Sequence, residues 1–331
     1  MESNATMKAC IYGAGAIGGW IGLALAQAGS EVSMVARGAT LAALGEHGLR
    51  LRRPDDSVVH VPVRASDSPA ALGVQDLVVV AVKAPGLPEV ARAMAPLIGP
   101  QTVVLTAMNG VPWWFLGGCS GAAQGRTLES VDPGGAIARA IPAGQVLGSV
   151  VHTSCSLEAP GFVKQHFGNR LIVGEPDGTA SPRLQALADA LQRGGIDVEA
   201  STNIQKDIWF KLWGNLTVNP ISALTGATTD RILDDDLVRG FVSAVMLEAK
   251  AIGEQLGLPI DQQPEDRHAV TRKLGAFQTS MLQDVEAGKP VEIDALVGAV
   301  HELGQITGIP TPHTAALLGL ARLMARTRGL Y

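Results

Sequence analysis

One short run limits what this chain can become. Gly13-Ala14-Gly15-Ala16-Ile17-Gly18 spells G-x-G-x-x-G. It follows Lys8 to Tyr12, which reads as a short buried strand. It opens a stretch in which Ile17, Trp20, Ile21, Ala24, Leu25 and Ala28 recur at helical spacing. Glycines at these offsets, between a strand and a helix, suit a turn that receives a pyrophosphate. Gly13 allows the tight turn, Gly15 lets the backbone approach the phosphates, and Gly18 lets helix and strand pack closely. The free N–H groups of the first helical turn then face the anion. Gly29 closes the helix where a left-handed residue is usual. The other reading, a glycine-rich turn inside a core, gives no reason for these three offsets.

The next strand, Glu31 to Ala36, ends at Arg37, with no acid at that position. An NAD enzyme commonly places Asp or Glu there to hold the ribose 2′-hydroxyl. A guanidinium instead suits a 2′-phosphate through charge and paired hydrogen bonds. NADP(H) is therefore favoured over NAD(H), and a solvated surface arginine is the competing reading. Lys83 and Asn109 each follow an apolar strand. Ligands of open α/β sheets bind at the carboxyl ends of strands, so both are candidates for the nicotinamide side. For Lys83 a solvated strand end is nearly as good an account.

Beyond the turn, strands keep alternating with helices. Leu77 to Val82 and Thr102 to Met108 are apolar runs that suit central parallel strands covered on both faces. A hairpin is expected over 49–64 and a short helix over 87–97. Residues 113–147, with Trp113-Trp114-Phe115 in a row, read as a loop plus a short helix. Two or three further strands are expected near 147–156, 161–166 and 170–174, then a helix over 181–193 and a strand over 196–200. This alternation predicts a doubly wound α/β domain. Near residue 202 the texture changes, with Thr202 and Gln205 spaced as a capping box. The remainder reads as helix, over 237–256, 267–287, 292–307 and 312–328. A length of 331 residues fits two domains. The expected division is 1–202 for nucleotide binding and 203–331 for substrate.

Composition removes several function classes. Net charge is −5 and no basic block occurs, which argues against nucleic acid and anionic membrane as partners. Small molecules and further copies of the same chain, as a possible homodimer, are the expected partners. Cys10, Cys119 and Cys155 show no paired spacing, which suits a reducing, cytoplasmic compartment. The seven histidines form no ligand cluster, so no metal is expected. Ala9 to Ala28 has the length of a membrane span, but five glycines interrupt it and no clear basic region precedes it. Met1 to Thr6 reads as a loose leader.

In the second half, Lys211, Asn215 and Asn219 stand at i, i+4 and i+8 within a strongly apolar segment. They share one helix face. Buried there, they need partners, and a bound oxoacid supplies them. The same spacing also describes the wet side of an amphipathic helix. Downstream, Ser280 opens Ser280-Met281-Leu282-Gln283-Asp284, and Glu292 lies in Val291-Glu292-Ile293-Asp294. Alone, these are an ordinary helix-surface residue and an ordinary helix cap.

Taken together, from Met7 onward, these segments resemble the ketopantoate reductase family (2-dehydropantoate 2-reductases). The resemblance rests on the glycine turn with Arg37, Lys83-Ala84, Asn109-Gly110, Lys211/Asn215/Asn219-Pro220, and the Ser280 and Glu292 segments. It implies a Rossmann domain followed by an all-α domain of the phosphogluconate dehydrogenase-like type. It implies that Gly13, Ala14, Gly15, Ala16, Ile17, Gly18, Arg37, Lys83, Asn109, Ser154 and Glu292 bind NADPH/NADP+. By the same resemblance Lys211 is the general acid, and Asn109, Asn215, Asn219 and Ser280 hold the oxoacid. The implied reaction is reduction of 2-dehydropantoate to pantoate in pantothenate biosynthesis. Two departures, the long 113–147 region and His152-Thr153-Ser154 in a cofactor-lining stretch, leave open reduction of another branched 2-oxoacid. A non-catalytic NADPH-binding sensor is the rival that does not need Lys211.

Overall fold

The computed structural model describes residues 6–331. The leader expected over Met1 to Thr6 lies, but for Thr6, outside them. The chain forms two compact units. The first holds the described residues up to Val82, with Gly86–Met108 and Ala136–Ile204. The second holds Lys83–Pro85, Asn109–Gly135 and Gln205–Tyr331. It thus takes in two segments from ahead of the expected cut at residue 202.

The first unit is built on parallel strands. β1 (Lys8–Tyr12) lies between β2 (Glu31–Val35) and β6 (Leu77–Val80). Beyond β2 comes β5 (Arg64–Ser66), and beyond β6 come β7 (Val103–Thr106) and β8 (Val146–Ala159). The parallel order β5-β2-β1-β6-β7-β8 is that of a doubly wound dinucleotide fold. Helices α1 (Ala16–Gln27), α2 (Gly38–His47), α3 (Leu87–Ala93), α4 (Ala136–Ala140) and α5 (Pro182–Arg193) make the crossovers and cover. The core between layers includes Ile11, Ile21, Leu25, Val79, Leu105, Leu147 and Leu171. Burial on both sheet faces explains the unbroken apolar runs at 77–80 and 103–106.

The expected hairpin is present as β3 (Leu49–Arg52) against β4 (Val58–Val61). Of the two or three strands expected after 146, the sheet has two long antiparallel ones, β8 and β9 (Phe162–Gly174). Register shifts between His152 and Ser154 and between Leu157 and Ala159 break the alternation, which left the number of strands open in the sequence. β10 (Asp197–Ser201) pairs with β9 in parallel.

The second unit is helical. α6 (Ile204–Thr225), α7 (Thr229–Asp234) and α8 (Asp236–Gln255) are followed by α9 (Pro264–Arg272), α10 (Ser280–Glu286), α11 (Ala299–Thr307) and α12 (Pro312–Thr327). Trp209, Trp213, Val245, Ile252, Leu296 and Val300 are buried in its core. The Trp213 indole N–H donates to the Met246 carbonyl at 2.8 Å, so its one polar atom is satisfied. α6 begins at Ile204, too late for Thr202 to cap it. The helix expected over 267–287 is two helices. Gly275 takes a left-handed turn between them, and the Thr279 hydroxyl caps α10 by accepting from the Leu282 N–H. The helix expected from 292 starts as a π-helical turn, Asp294–Gly298, before α11.

Residues 113–135 are anchored to this unit. Trp113, Trp114 and Phe115 are buried, with the Phe115 ring 6.1 Å from that of Trp209. The Ser120 N–H donates to the Leu256 carbonyl at 3.0 Å. The N–H groups of Glu129 and Ser130 donate to the Glu302 carboxylate, each at 2.8 Å. Among the described residues no helix is long and apolar enough to cross a membrane.

Candidate active site

The glycine turn of the first unit is closed inside and open outside. Gly13 has φ +112°, and a Cβ there would lie 2.6 Å from the Ala81 carbonyl oxygen. A Cβ on Gly18 would lie 2.1 Å from the Gly13 oxygen. Neither position accepts a side chain. Gly15, just before α1, would meet nothing within 4 Å. The first amides of α1 therefore border free space, which is what a pyrophosphate needs. Ala14, Ala16 and Ile17 complete the turn, partly exposed.

Next to the turn is a cleft of about 290 Å³, lined by Tyr12, Gly13, Ala14, Arg37, Thr40 and Glu89 among others. Arg37 stands at its lip, 64% exposed, and its Nη2 donates to Glu89 Oε1 at 2.7 Å. That hydrogen bond leads the effects holding the guanidinium pKa above its ordinary value. Glu89 was not legible as a site residue, because it is an ordinary first-turn acid of α3 lying 52 positions from its partner.

The second unit gathers Lys83, Asn109, Lys211 and Glu292. Lys211 Nζ donates to Asn109 Oδ1 at 3.0 Å. The Asn109 amide is near enough to favour the charged Glu292 carboxylate, and Glu292 Oε1 accepts the Ala84 N–H at 3.0 Å. Lys83 pairs with Asp284 of α10. The Asn109 loop is fixed by its successor. Gly110 has φ +84°, a Cβ there would lie 2.5 Å from the Ala295 oxygen, and the Val111 N–H donates to that same oxygen at 2.9 Å. Asn109 and Glu292 are thus locked together through the start of the π-helical turn. Such turns recur at functional sites because they re-aim side chains.

Electrostatics make Lys211 an unusual lysine. Packing around the ammonium lowers its pKa to about 8, the Glu292 carboxylate opposes that shift, and the Arg267 guanidinium adds to it. Glu292 is shifted the other way. Burial pushes its carboxyl above the usual range, against the Ala84 N–H, the Lys83 charge and the Asn109 amide. A lysine and a glutamate drawn toward neutrality, and joined through one asparagine, form a unit able to hold and pass a proton.

Asn215 and Asn219 continue the Lys211 face of α6, half-buried and buried, and neither side chain has a hydrogen bond among the described residues. Ser280 is exposed at the first position of α10. Ser154 lies in β8 of the first unit, opposite Phe167. No group of three or more His, Cys, Asp or Glu among the described residues is arranged to hold a metal ion. Asp284 and Arg267 went unnoticed in sequence, since one acid and one arginine on separate helices carry no pattern.

A doubly wound unit with an open glycine turn, together with a helical unit carrying a desolvated lysine, is the build of an oxidoreductase. Residues 9–114 match the family model described as ketopantoate reductase PanE/ApbA, and residues 203–325 match the model for the C terminal of that family. The chain is 45% identical over 326 residues to a 2-dehydropantoate 2-reductase of Mesorhizobium japonicum, covering 98% of this chain and all of that one. A crystal structure of a candidate ketopantoate reductase from Ralstonia solanacearum superposes with TM-score 0.94 at 57% identity, covering 99% of this chain and 100% of that one. The 2-dehydropantoate 2-reductase of Methylococcus capsulatus superposes with TM-score 0.83 at 28% identity, covering 97% and 98%. The chain belongs to the ketopantoate reductase family.

Proposed function

We propose that this protein reduces 2-dehydropantoate to pantoate with NADPH, a step of pantothenate biosynthesis, with Lys211 as proton donor. The observation that carries the reading is the hydrogen bond from Lys211 to Asn109 beside buried Glu292. Bound NADPH would supply the hydride for the C2 ketone. Gly13, Ala14, Gly15, Ala16, Ile17 and Gly18 would cradle the pyrophosphate of that cofactor, with Arg37 taking its 2′-phosphate. Lys83, Ser154 and Glu292 complete the proposed cofactor-binding set, and Asn109 serves cofactor and substrate alike.

As the ketone carbon is reduced, negative charge builds on its oxygen. The Lys211 ammonium stabilises that charge and gives up a proton to it. A pKa near 8 leaves the group protonated at neutral pH, yet a far readier donor than a free lysine. Asn215 and Asn219 offer amide donors to the carboxylate and hydroxyl oxygens of the substrate, and Ser280 a hydroxyl. The 1–202 and 203–331 division of labour is part of this reading. So are a cytoplasmic location, which the three unpaired cysteines support, and assembly as a homodimer.

Steady-state assays over a panel of 2-oxoacids, each with NADPH and with NADH, test the proposal. The expected result is preferential turnover of 2-dehydropantoate with NADPH. Efficient turnover of a different branched 2-oxoacid in its place would move the protein to another substrate. NADPH binding without any turnover would make it a sensor.

A further inference from the structure

Arg267 is a cation with no anion. It sits in the first turn of α9, half-buried, and burial pulls its guanidinium pKa below the ordinary value. Its Nε is shut off from solvent without a hydrogen-bond partner, and among the described residues no carboxylate forms an ion pair with it. Burial alone accounts for that shift, with no carboxylate charge opposing it, and acids of the surrounding helices are engaged elsewhere. Asp266 accepts the Gln263 N–H, Asp234 pairs with Arg272, and Asp236 pairs with Arg239. A desolvated, unpaired guanidinium is costly and persists where something repays it.

Its position indicates what does. The guanidinium is 5.5 Å from the Phe210 ring and turns its Nε–Nη2 edge toward Gly214 of α6, which leaves the Nη1–Nη2 edge for a ligand. A Cβ at Gly214 would be 2.6 Å from Nε and 2.8 Å from Nη2, so the missing side chain makes the slot that the guanidinium fills. Gly214 is three residues after Lys211, hence a neighbour on the same helix face, about 4.5 Å along the axis. The two cations are close enough for Arg267 to depress Lys211. In a 2-oxoacid the carboxylate carbon is bonded directly to the ketone carbon. Whatever holds that carboxylate must therefore lie within a few ångströms of whatever protonates the ketone oxygen.

We propose that Arg267 supplies the charged partner for the carboxylate of the 2-oxoacid, beside the Asn215 and Asn219 amides, held in register with Lys211 by the Gly214 slot and the Phe210 ring. The inference rests on the reading of the Lys211 site as a 2-oxoacid reductase. A planar fork matches a carboxylate in two parallel N–H···O bonds, which a lysine cannot reproduce. An anion there also relieves the repulsion between the two cations.

The test compares wild type, Arg267→Gln, Arg267→Lys and Gly214→Ala on two substrates with NADPH. One is the 2-oxoacid, and the other is the matching ketone whose carboxylate is an amide. Binding of the 2-hydroxyacid product is measured by calorimetry and of NADPH by fluorescence titration. The expected result for Arg267→Gln is a KM for the acid, and a Kd for the product, raised on the order of tenfold to a hundredfold. NADPH affinity stays unchanged, and the wild-type preference for acid over amide disappears. Gly214→Ala keeps the charge and a good helix former, so it folds, and by displacing the fork it raises KM for the acid in the same direction. Arg267→Lys recovers only part of the loss. If Arg267→Gln keeps the preference for acid over amide, or weakens both substrates equally, Arg267 is a structural brace on Phe210 and the proposal is wrong. If wild type turns over no 2-oxoacid, the reductase reading itself falls and this inference with it.

Discussion

Lys211 and Asn109, 102 positions apart in sequence, are joined by a 3.0 Å hydrogen bond from Nζ to Oδ1. This bond fixes the direction in which the ammonium points, and it sets a pH dependence. If Lys211 is the proton donor, as proposed, reduction needs its protonated form, whose pKa burial lowers to about 8. The kcat/KM for oxoacid reduction should be flat near neutrality and fall as pH rises through about 8. Oxidation of the hydroxyacid needs the unprotonated lysine and should rise over the same range. Lys211→Met should cut turnover about 10²- to 10⁴-fold while leaving NADPH affinity intact. A reduction profile with no limb near pH 8 would remove Lys211 as the acid.

The same lysine affects stability, with a definite sign. Its pKa is depressed from 10.5 in the unfolded chain to about 8 in the folded one. The folded state therefore binds this proton less readily, and the penalty is fully present below about pH 8. It fades as pH climbs toward 10.5, where both states hold the neutral amine. Thermal melts should show Lys211→Met more stable than wild type at pH 7, with the gap narrowing above pH 8. An equal gap at pH 7 and pH 10 would contradict the depressed pKa.

Glu292 tunes that value. Its carboxylate favours the charged lysine, opposing the desolvation. Glu292→Gln keeps the size and one acceptor for the Ala84 N–H but removes the charge. The basic limb of the reduction profile should then move below that of wild type. A limb that stays in place would separate Glu292 from the titration of Lys211.

How much of this could be read beforehand depends on whether a residue's role is local. The G-x-G-x-x-G turn was legible because its three glycines fall within six residues, two of them excluding a side chain and Gly15 leaving open space before the helix. The stripe at Lys211, Asn215 and Asn219 was legible through helical spacing. Asn109 was visible as a strand-end residue and Glu292 only through family resemblance, and nothing in their neighbours says that 109 lies beside 211 and 292. Arg267 was invisible, because its meaning comes from a glycine on another helix and from acids occupied elsewhere. Trp113-Trp114-Phe115 looked like part of a loop, because the partner ring, Trp209, lies almost a hundred positions away.

Arg37 offers a test of cofactor choice. It lies at the lip of the first-unit cleft, in an exposed pair with Glu89. A 2′-phosphate would exchange one anionic partner for a stronger one. Arg37→Ala should weaken NADPH on the order of tenfold to a hundredfold and leave NADH within about twofold, measured by fluorescence titration. Equal losses for both nucleotides would reject the 2′-phosphate role.

Gly110 links backbone shape to the position of Asn109. Its φ of +84° disfavours any L side chain, and a Cβ there would lie 2.5 Å from the Ala295 oxygen. Gly110→Ala therefore adds backbone strain to a contact that nothing flexible can relieve. The expected cost is about 1–3 kcal/mol of stability by chemical denaturation. Because the shift passes through Asn109 to Lys211, kcat should fall further than the loss of folded protein explains. A variant with wild-type kcat at temperatures where it is fully folded would show that the Asn109 loop tolerates displacement.

Phe115 tests whether residues 113–135 are structural to the helical unit. The side chain is fully buried, tilted against Trp209 of α6, two residues from Lys211. Phe115→Ala removes a ring from a packed site and leaves a cavity, at about 3–5 kcal/mol. A surface loop carrying the same substitution would lose less than about 0.5 kcal/mol, so denaturant midpoints separate the two cases by a wide margin. The cavity also frees Trp209 to move, and with it the turn of α6 that carries Lys211. In protein still folded at low temperature, Phe115→Ala should therefore show reduced kcat with NADPH affinity unchanged, because the glycine turn belongs to the other unit. Loss of NADPH affinity in step with kcat would mean that the damage is global and not confined to the helical unit.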